Sequence, residues 1–252
     1  MAQLDDIIGS VMKKLDDLGV ADDTILVFTT DNGAENFTWP DGGQTPFAGG
    51  KGTVLEGGMR VPCIVRWPGK VPAGKVENQL MSGLDWFPTL AAVAGDPKIV
   101  EELKQGKPLG GTTYKVHLDG YDQTDLITGK GPSKRHEIFY FAETTLGAVR
   151  IDDYKYRLID QPNGWLGGTT KPDWPILVNL RLDPLERTGL TGSLAYYNWF
   201  AYEFWRFAFL QQEVAKAAPT FIEFPPMQKG ASFNLEALKE ELDKKMASQA
   251  AQ

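Results

Sequence analysis

The first apolar positions of the chain follow the spacing of an amphipathic helix with one face packed inward. They recur at intervals of three and four residues and stop before Gly19, a residue type that often ends helices: Leu4, Ile7, Ile8, Val11, Met12, Leu15 and Leu18. Residues 24–29 then form a short run of β-branched and apolar side chains, which is typical of a strand buried on both faces in a parallel sheet. A helix followed by a buried strand predicts an α/β layer.

Two further elements extend this layer. Residues 61–67 predict a strand closed by a Trp-Pro-Gly turn, and residues 84–94 predict a helix that ends at Gly95. Between the two strands, residues 41–60 hold 7 of the 27 glycines with little periodicity, which indicates a long loop. Loops of this length are usually functional, which favours a site there.

The pattern changes after Pro97 to separated runs with alternating polarity, which predicts a half-exposed antiparallel sheet: 114–118, 137–142, 148–159 and 177–182. A helix follows over about 194–218, then a proline-rich connector and a last helix from Leu235 with Asn234 as its N-cap. Residues 196–209 contain 9 aromatic side chains, which favours burial against a sheet, or a partner surface if one face is exposed. We therefore predict two units, residues 1–110 and 111–252.

Composition limits the classes of protein to which this chain can belong. The chain has 252 residues and 33 acidic against 26 basic side chains, and this net charge of −7 without a basic cluster argues against nucleic acid as a partner. No uncharged apolar run approaches the ~20 residues of a membrane span. A single cysteine, Cys63, excludes an internal disulfide and a multi-thiolate metal site. The first residues lack a signal-peptide pattern, so the chain as given favours the cytoplasm.

Two sites could carry chemistry. Asp31 and Asn32 come directly after the first predicted strand and offer the oxygen ligands that calcium or magnesium takes, although Asn-Gly is also an ordinary turn sequence. Lys51 lies among glycines whose backbone amides could approach a sulfate or phosphate, although it could equally be a solvated lysine. His117 and His136 are interpreted as a structural and a surface residue.

Six ordered blocks carry a resemblance to a known family. They are Asp-Thr-Ile-Leu-Val-Phe-Thr-Thr-Asp-Asn-Gly at 23–33, Gly-Lys-Gly at 50–52, Glu-Gly-Gly-Met-Arg-Val-Pro at 56–62, Asp-Trp-Phe-Pro-Thr-Leu at 85–90, Leu-Asp-Gly-Tyr-Asp at 118–122 and Asn-Leu-Arg-Leu-Asp-Pro-Leu-Glu-Arg at 179–187. In this order they resemble the C-terminal part of the sulfatase family, the arylsulfatase-like branch of the alkaline-phosphatase superfamily. The fold class implied is α/β: a partial sulfatase-like sandwich followed by a small C-terminal antiparallel sheet with packed helices.

The resemblance also implies roles for residues. Asp31 and Asn32 would bind calcium, or magnesium, and Lys51 would hold a sulfate oxygen. In the family, the nucleophile is a formylglycine made from the first residue of a Cys/Ser-x-Pro-x-Arg motif. The sequence has no such motif, because Cys63-Ile-Val-Arg lacks the proline and brings the arginine one position early. We therefore expect no catalytic residue in this chain. Cys63 lies in a predicted strand, and we expect it to be a buried core residue. Metal binding should be weak, because Asp31 and Asn32 are only two ligands.

The function expected is that of a sulfuric ester hydrolase by family, in a truncated chain that keeps metal and sulfate contacts without the nucleophile. One alternative is a phosphodiesterase or phosphonate-ester hydrolase of the same superfamily, since a metal and an anion-holding lysine serve phosphorus equally. Another is a non-catalytic binding or assembly module that uses the aromatic helix. The expected partners are a sulfate ester or sulfate ion, and a second copy of the chain joined through an exposed sheet edge.

Overall fold

The computed structural model describes residues 2–38, 40–188 and 193–225, which form helices and three antiparallel sheets. The α-helices are α1 Ala2–Asp17, α2 Glu56–Met59, α3 Trp86–Val93, α4 Ile99–Gln105, α5 Thr124–Thr128, α6 Leu194–Glu203 and α7 Phe207–Glu223, and short 3-10 turns lie at Ala21–Asp23, Gly83–Asp85 and Phe204–Arg206. The strands are β1 Leu26–Thr29, β2 Cys63–Arg66, β3 Lys107–Leu109, β4 Thr112–Tyr114, β5 Glu137–Ala142, β6 Thr145–Ile151, β7 Tyr154–Arg157 and β8 Ile176–Asn179.

Helix α1 forms where the apolar spacing predicts it. Gly19 has a φ of +68°, and its N–H donates to the carbonyl of Asp16 at 3.0 Å, so it ends the helix as expected. The expectation of an inward face is wrong, because none of the helix residues is buried and Ile7 is 54% exposed. Periodicity identifies the apolar face of a helix, but whether a neighbour covers that face depends on the rest of the fold.

Strands β1 and β2 form a two-stranded antiparallel sheet, with Leu26 opposite Arg66 and Thr29 opposite Cys63. The prediction of a strand buried in a parallel sheet is therefore wrong. Residues 30–62 connect the two strands and contain only the four-residue α2, whereas parallel strands are usually joined by a crossover helix. Cys63 is exposed at the start of β2, so the expectation that it lies in the core is also wrong: no part of the described chain buries its side chain.

The predicted helix at 84–94 is present as the 3-10 turn Gly83–Asp85 and α3, and it is tied to the second half of the chain. Ser82 and Asp85 form a capping box at its start. The fully buried Asp85 carboxylate accepts from the Arg135 guanidinium, with Nη2 to Oδ1 at 2.6 Å. A buried and hydrogen-bonded pair of this kind fixes the two segments in one relative position.

The second half is built on a four-stranded antiparallel sheet in the order β5-β6-β7-β8. Apolar clusters cover both faces: Val54, Tyr140, Ala148 and Ile159 on one, and Val149, Tyr156, Leu177 and Leu210 on the other. The antiparallel sheet is as predicted, but its centre is buried on both faces rather than half exposed. The strand expected at 114–118 is wrong beyond Tyr114, where the short β3-β4 hairpin ends.

The aromatic segment forms α6, the 3-10 turn Phe204–Arg206 and α7, and extends five residues past the predicted end at 218. Trp199, Phe200 and Phe207 pack against the sheet. Tyr202 and Trp205 are 77% and 57% exposed, so only one face of the aromatic segment packs against the sheet.

The predicted last helix from Leu235, with its cap at Asn234, lies outside the described residues. No helix within residues 2–38, 40–188 and 193–225 is both long and apolar enough to cross a membrane.

Candidate functional site

The turn after β1 is packed tightly against α2. The Gly33 N–H donates to the carbonyl of Gly58 at 2.8 Å, and a Cβ at Gly33 would lie 1.8 Å from the carbonyl oxygen of Gly57. Only glycine fits this position, because no side chain can occupy the space of a backbone oxygen. The Asp31 side chain, two residues earlier, is exposed at the end of the strand.

Asp31 and Asn32 keep oxygen atoms that could serve a cation. The Thr30 hydroxyl donates to Oδ1 of Asp31 at 3.3 Å, and the Asn32 amide nitrogen donates to the carbonyl of Gly33 at 2.8 Å, which leaves the Asn32 side-chain oxygen for a ligand. Calcium takes 6 to 8 oxygens, so these donors suit a hard cation but supply only part of its shell. Among the described residues, no group of three or more His, Cys, Asp or Glu side chains is arranged to hold a metal.

Lys51 lies beside this turn but is already paired. Its N–H donates to the carbonyl of Ala34 at 2.9 Å, and its ammonium donates to the Glu35 carboxylate at 2.7 Å. The hydrogen bond to Glu35 and the charge of Glu35 raise the pKa of Lys51, and the charge of Asp31 raises it further. The same contact lowers the pKa of Glu35. Asp31 and Lys51 are therefore close enough to interact electrostatically, and a sulfate would have to displace Glu35.

The glycine-rich segment around Lys51 is a closed turn. Gly49 and Gly52 have φ values of +72° and +82°. The Thr53 hydroxyl donates to the carbonyl of Gly50 at 2.8 Å, and the Thr53 N–H donates to the same oxygen at 3.1 Å. The Gly50 N–H donates to the Thr53 hydroxyl at 3.3 Å. The amides of Gly50, Lys51 and Thr53 are thus used within the protein, and the Lys51 side chain remains the candidate anion-binding group.

A cavity of about 490 Å³ opens next to Lys51, between the glycine-rich turn and the segment 160–166 from the second half of the chain. Phe37, Gln161 and Trp165 contribute to its lining. Neither histidine lies there. His117 is partly buried, with Nδ1 3.2 Å from the Asp119 carboxylate, and His136 is exposed, with Nδ1 2.9 Å from the Asp152 carboxylate.

Sequence reasoning missed a buried ionic cluster behind the turn. The Lys155 ammonium lies 3.1 Å from Glu56 and 3.2 Å from Glu186, and Glu186 also accepts the backbone N–H of Glu56. The Lys155 ammonium sits 4.5 Å from the centroid of the Tyr140 ring. Burial raises the pKa of Glu186, while the Lys155 charge acts in the opposite direction. No local signal marks Lys155, because a charged side chain in an alternating strand normally predicts solvent exposure. Glu56 and Glu186 lie in the motif blocks 56–62 and 179–187, but these blocks do not indicate a shared partner.

Comparisons with known proteins bear on this arrangement. The sequence model of the Sulfatase family matches residues 1–96. The chain is 33% identical over 212 residues to arylsulfatase A from Homo sapiens, covering 77% of this chain and 39% of the relative. It is 36% identical over 165 residues to N-acetylgalactosamine-6-sulfatase from Canis lupus familiaris, covering 65% and 29%. The crystal structure of the PsFucS1 sulfatase from Pseudoalteromonas sp. superposes with a TM-score of 0.73 and 30% identity, covering 90% of this chain and 43% of that one.

These matches define the fold as the alkaline-phosphatase-like α/β fold of the sulfatases. Over the part that the comparisons cover, the chain is a sulfatase-family protein, as its motifs predict. The chain spans well under half the length of the relatives named, 39% of the human enzyme and 43% of the Pseudoalteromonas one.

Proposed function

We propose that this chain carries the metal-binding and sulfate-binding part of a sulfuric ester hydrolase. The observation that supports the proposal is the adjacency of Asp31 and Lys51. The Lys51 N–H donates to the carbonyl of Ala34, three residues after Asp31, and the Gly33 N–H of the same turn donates to the carbonyl of Gly58 in α2. A cation ligand next to a cationic side chain is the arrangement needed to hold an anionic ester between two positive charges.

Each residue then has a defined task. Asp31 and Asn32 hold calcium, or magnesium, through their side-chain oxygens. A divalent cation, when bound, withdraws electron density from a sulfate oxygen. Lys51 donates to another sulfate oxygen after its ammonium exchanges Glu35 for the ligand. The pairing keeps the ammonium oriented when no sulfate is present.

We infer that the chain by itself binds sulfate without turning over an ester. Covalent catalysis needs a nucleophile beside the bound group, and the 252 residues contain no Cys/Ser-x-Pro-x-Arg motif. We expect no hydrolysis of 4-nitrophenyl sulfate above buffer, measured as release of 4-nitrophenol, together with Lys51-dependent binding of inorganic sulfate. Turnover that follows the chain through purification and disappears in Lys51→Ala would contradict this inference, because it would require a nucleophile that the motif does not identify.

Calcium binding should be weak, because two protein ligands leave most of the coordination shell to water. We expect a calorimetric Kd above about 100 μM, the range of loosely built sites. The double variant Asp31→Ala with Asn32→Ala should abolish it, whereas Asp41→Ala, an exposed carboxylate in the following loop, should leave it unchanged. Submicromolar affinity that survives the double substitution would place the metal elsewhere.

We also infer that copies of this chain associate with each other. Within the described residues, β1 and β2 pair only with each other, and Ile64 in β2 is 64% exposed. Open strand edges and uncovered apolar side chains favour pairing with a second chain.

A further inference from the structure

The segment that carries Lys51 is hydrogen-bonded at both ends to the second half of the chain. Before Lys51, the Ala48 N–H donates to the carbonyl of Leu185 at 3.2 Å. After it, the Glu56 N–H donates to the Glu186 carboxylate. Two consecutive residues of the second half therefore hold the two ends of this segment, and Lys51 lies between them.

The middle of the segment is held by one side chain, that of Gln161. Its amide oxygen accepts the Val54 N–H at 2.9 Å, and its amide nitrogen donates to the carbonyl of Gly52 at 3.1 Å. Gln161 is buried, and Gly52 directly follows Lys51 in the sequence. A side-chain amide both accepts and donates, so neither a hydrocarbon nor an ionised carboxylate can replace both bonds.

These bonds set the backbone position from which the Lys51 side chain extends. Gly52 has a φ of +82°, and a Cβ there would lie 2.1 Å from Cγ of Trp165, so the backbone packs directly against the indole. Without the Gln161 amide, the buried Val54 N–H would lose this acceptor, and the turn would have to move to find another. Such a movement would displace Lys51 as well, because its backbone is continuous with that of Gly52.

We propose that Gln161 is a positioning residue for Lys51, whose side-chain amide fixes the glycine-rich turn and thereby sets the affinity of the Lys51 ammonium for sulfate. This inference rests on the proposed function, because it takes Lys51 as the sulfate-binding group. Gln161 acts through the turn, since both polar ends of its amide bind the backbone of the turn. The ammonium depends on this position because hydrogen bonds weaken steeply when donor and acceptor are misaligned.

The first measurement is a calorimetric titration with inorganic sulfate, in the whole chain carrying Glu35→Gln so that the Glu35 carboxylate does not compete for Lys51. Gln161→Met, added to this background, fills a similar volume without the amide. We expect it to weaken sulfate binding about three- to tenfold, the effect of one or two lost hydrogen bonds. Gln161→Asn keeps an amide but shortens its reach by one methylene, so it cannot make both bonds, and it should also weaken sulfate binding.

The second measurement is the pKa of the Lys51 ammonium, followed by NMR in the chain that retains Glu35. Contact with Glu35 raises this pKa. Gln161→Met should lower the pKa of Lys51 back toward its usual value, because a displaced ammonium no longer keeps its contact with Glu35 at 2.7 Å. A loss of global stability alone would not change this pKa while the protein stays folded.

Gln123→Met is the matched control. Gln123 is also a buried glutamine, but its amide donates to the Ser133 hydroxyl and accepts the Lys134 N–H instead of binding the turn. The substitution should therefore change neither the sulfate affinity nor the pKa of Lys51.

The outcomes separate the role of Gln161 from the proposed function. Lys51→Ala should weaken sulfate binding. If it does so while Gln161→Met leaves the affinity or the pKa of Lys51 unchanged, or while Gln123→Met causes the same losses, the role of Gln161 is refuted and the proposed function stands. If no sulfate binds, or if Lys51→Ala changes nothing, both are refuted.

Discussion

At the scale of single residues, the ion pair between Lys51 and Glu35 competes with sulfate. The carboxylate occupies the ammonium at 2.7 Å, so an incoming anion must displace it. We expect Glu35→Gln to tighten sulfate binding about two- to fivefold at neutral pH, the range in which a partly exposed pair contributes. Isothermal titration calorimetry measures this change. Glu77→Gln, which breaks the pair with Lys75 at 3.0 Å, is the matched control and should have no effect.

The pH dependence of binding follows from the same pair. Contact with Lys51 lowers the pKa of Glu35, so the carboxylate stays charged and keeps the ammonium paired until the pH falls below the usual glutamate range of about 4.3. Sulfate affinity of the unmodified chain should then rise as the pH falls through the lowered pKa of Glu35. The Glu35→Gln variant should lack this component of the rise. Identical profiles for the two proteins would show that Glu35 does not compete for Lys51.

The sequence identified Asp31, Asn32 and Lys51 separately as candidate site residues, because their motifs are local and occur in a fixed order. It did not identify Glu35 as the partner of Lys51, since this pairing depends on how the loop of 30–62 closes on itself. The error on Cys63 has a similar origin. An apolar run predicts a strand, but exposure of a strand residue is decided by what covers the strand.

At the scale of elements, the contact between the turn after β1 and α2 fixes the geometry of the site. Gly33→Ala would force a methyl group into the carbonyl of Gly57, and we expect it to lower the free energy of unfolding by ~1–3 kcal/mol, as overpacking does. Gly43→Ala is the control, because a Cβ there meets nothing within 4 Å. Chemical denaturation compares the two variants. Equal stabilities would mean that the turn is not packed on α2 in solution.

Elements that local sequence signals define were predictable, and elements that depend on contacts between distant parts of the chain were not. Helix α1 and its end at Gly19 were predictable, because the helical apolar pattern and a C-terminal glycine are local signals. The direction of β1 relative to β2 was not, since the partner strand begins 34 residues after Thr29. In β7, Lys155 is fully buried because Glu56 and Glu186 neutralise it, and both come from other parts of the chain.

At the scale of the whole molecule, the uncovered apolar surface of the first half predicts self-association. We expect light scattering at tens of micromolar to report a dimer or a larger species, because open strand edges associate in this concentration range. Ile64→Lys, at the edge formed by β2, should yield a monomer. Val76→Lys changes a residue that is 78% exposed outside any strand and should leave the assembly intact. A clean monomer of the unmodified chain would contradict the prediction.

The buried cluster of Lys155, Glu56 and Glu186 has a consequence for how the polypeptide is made. Glu56 is synthesised long before its two partners, and a carboxylate cannot be buried at reasonable cost without them. We therefore expect α2 to stay open during translation until residue 186 has left the ribosome. The last partner to emerge then sets the moment at which α2 and the loop around Lys51 can close.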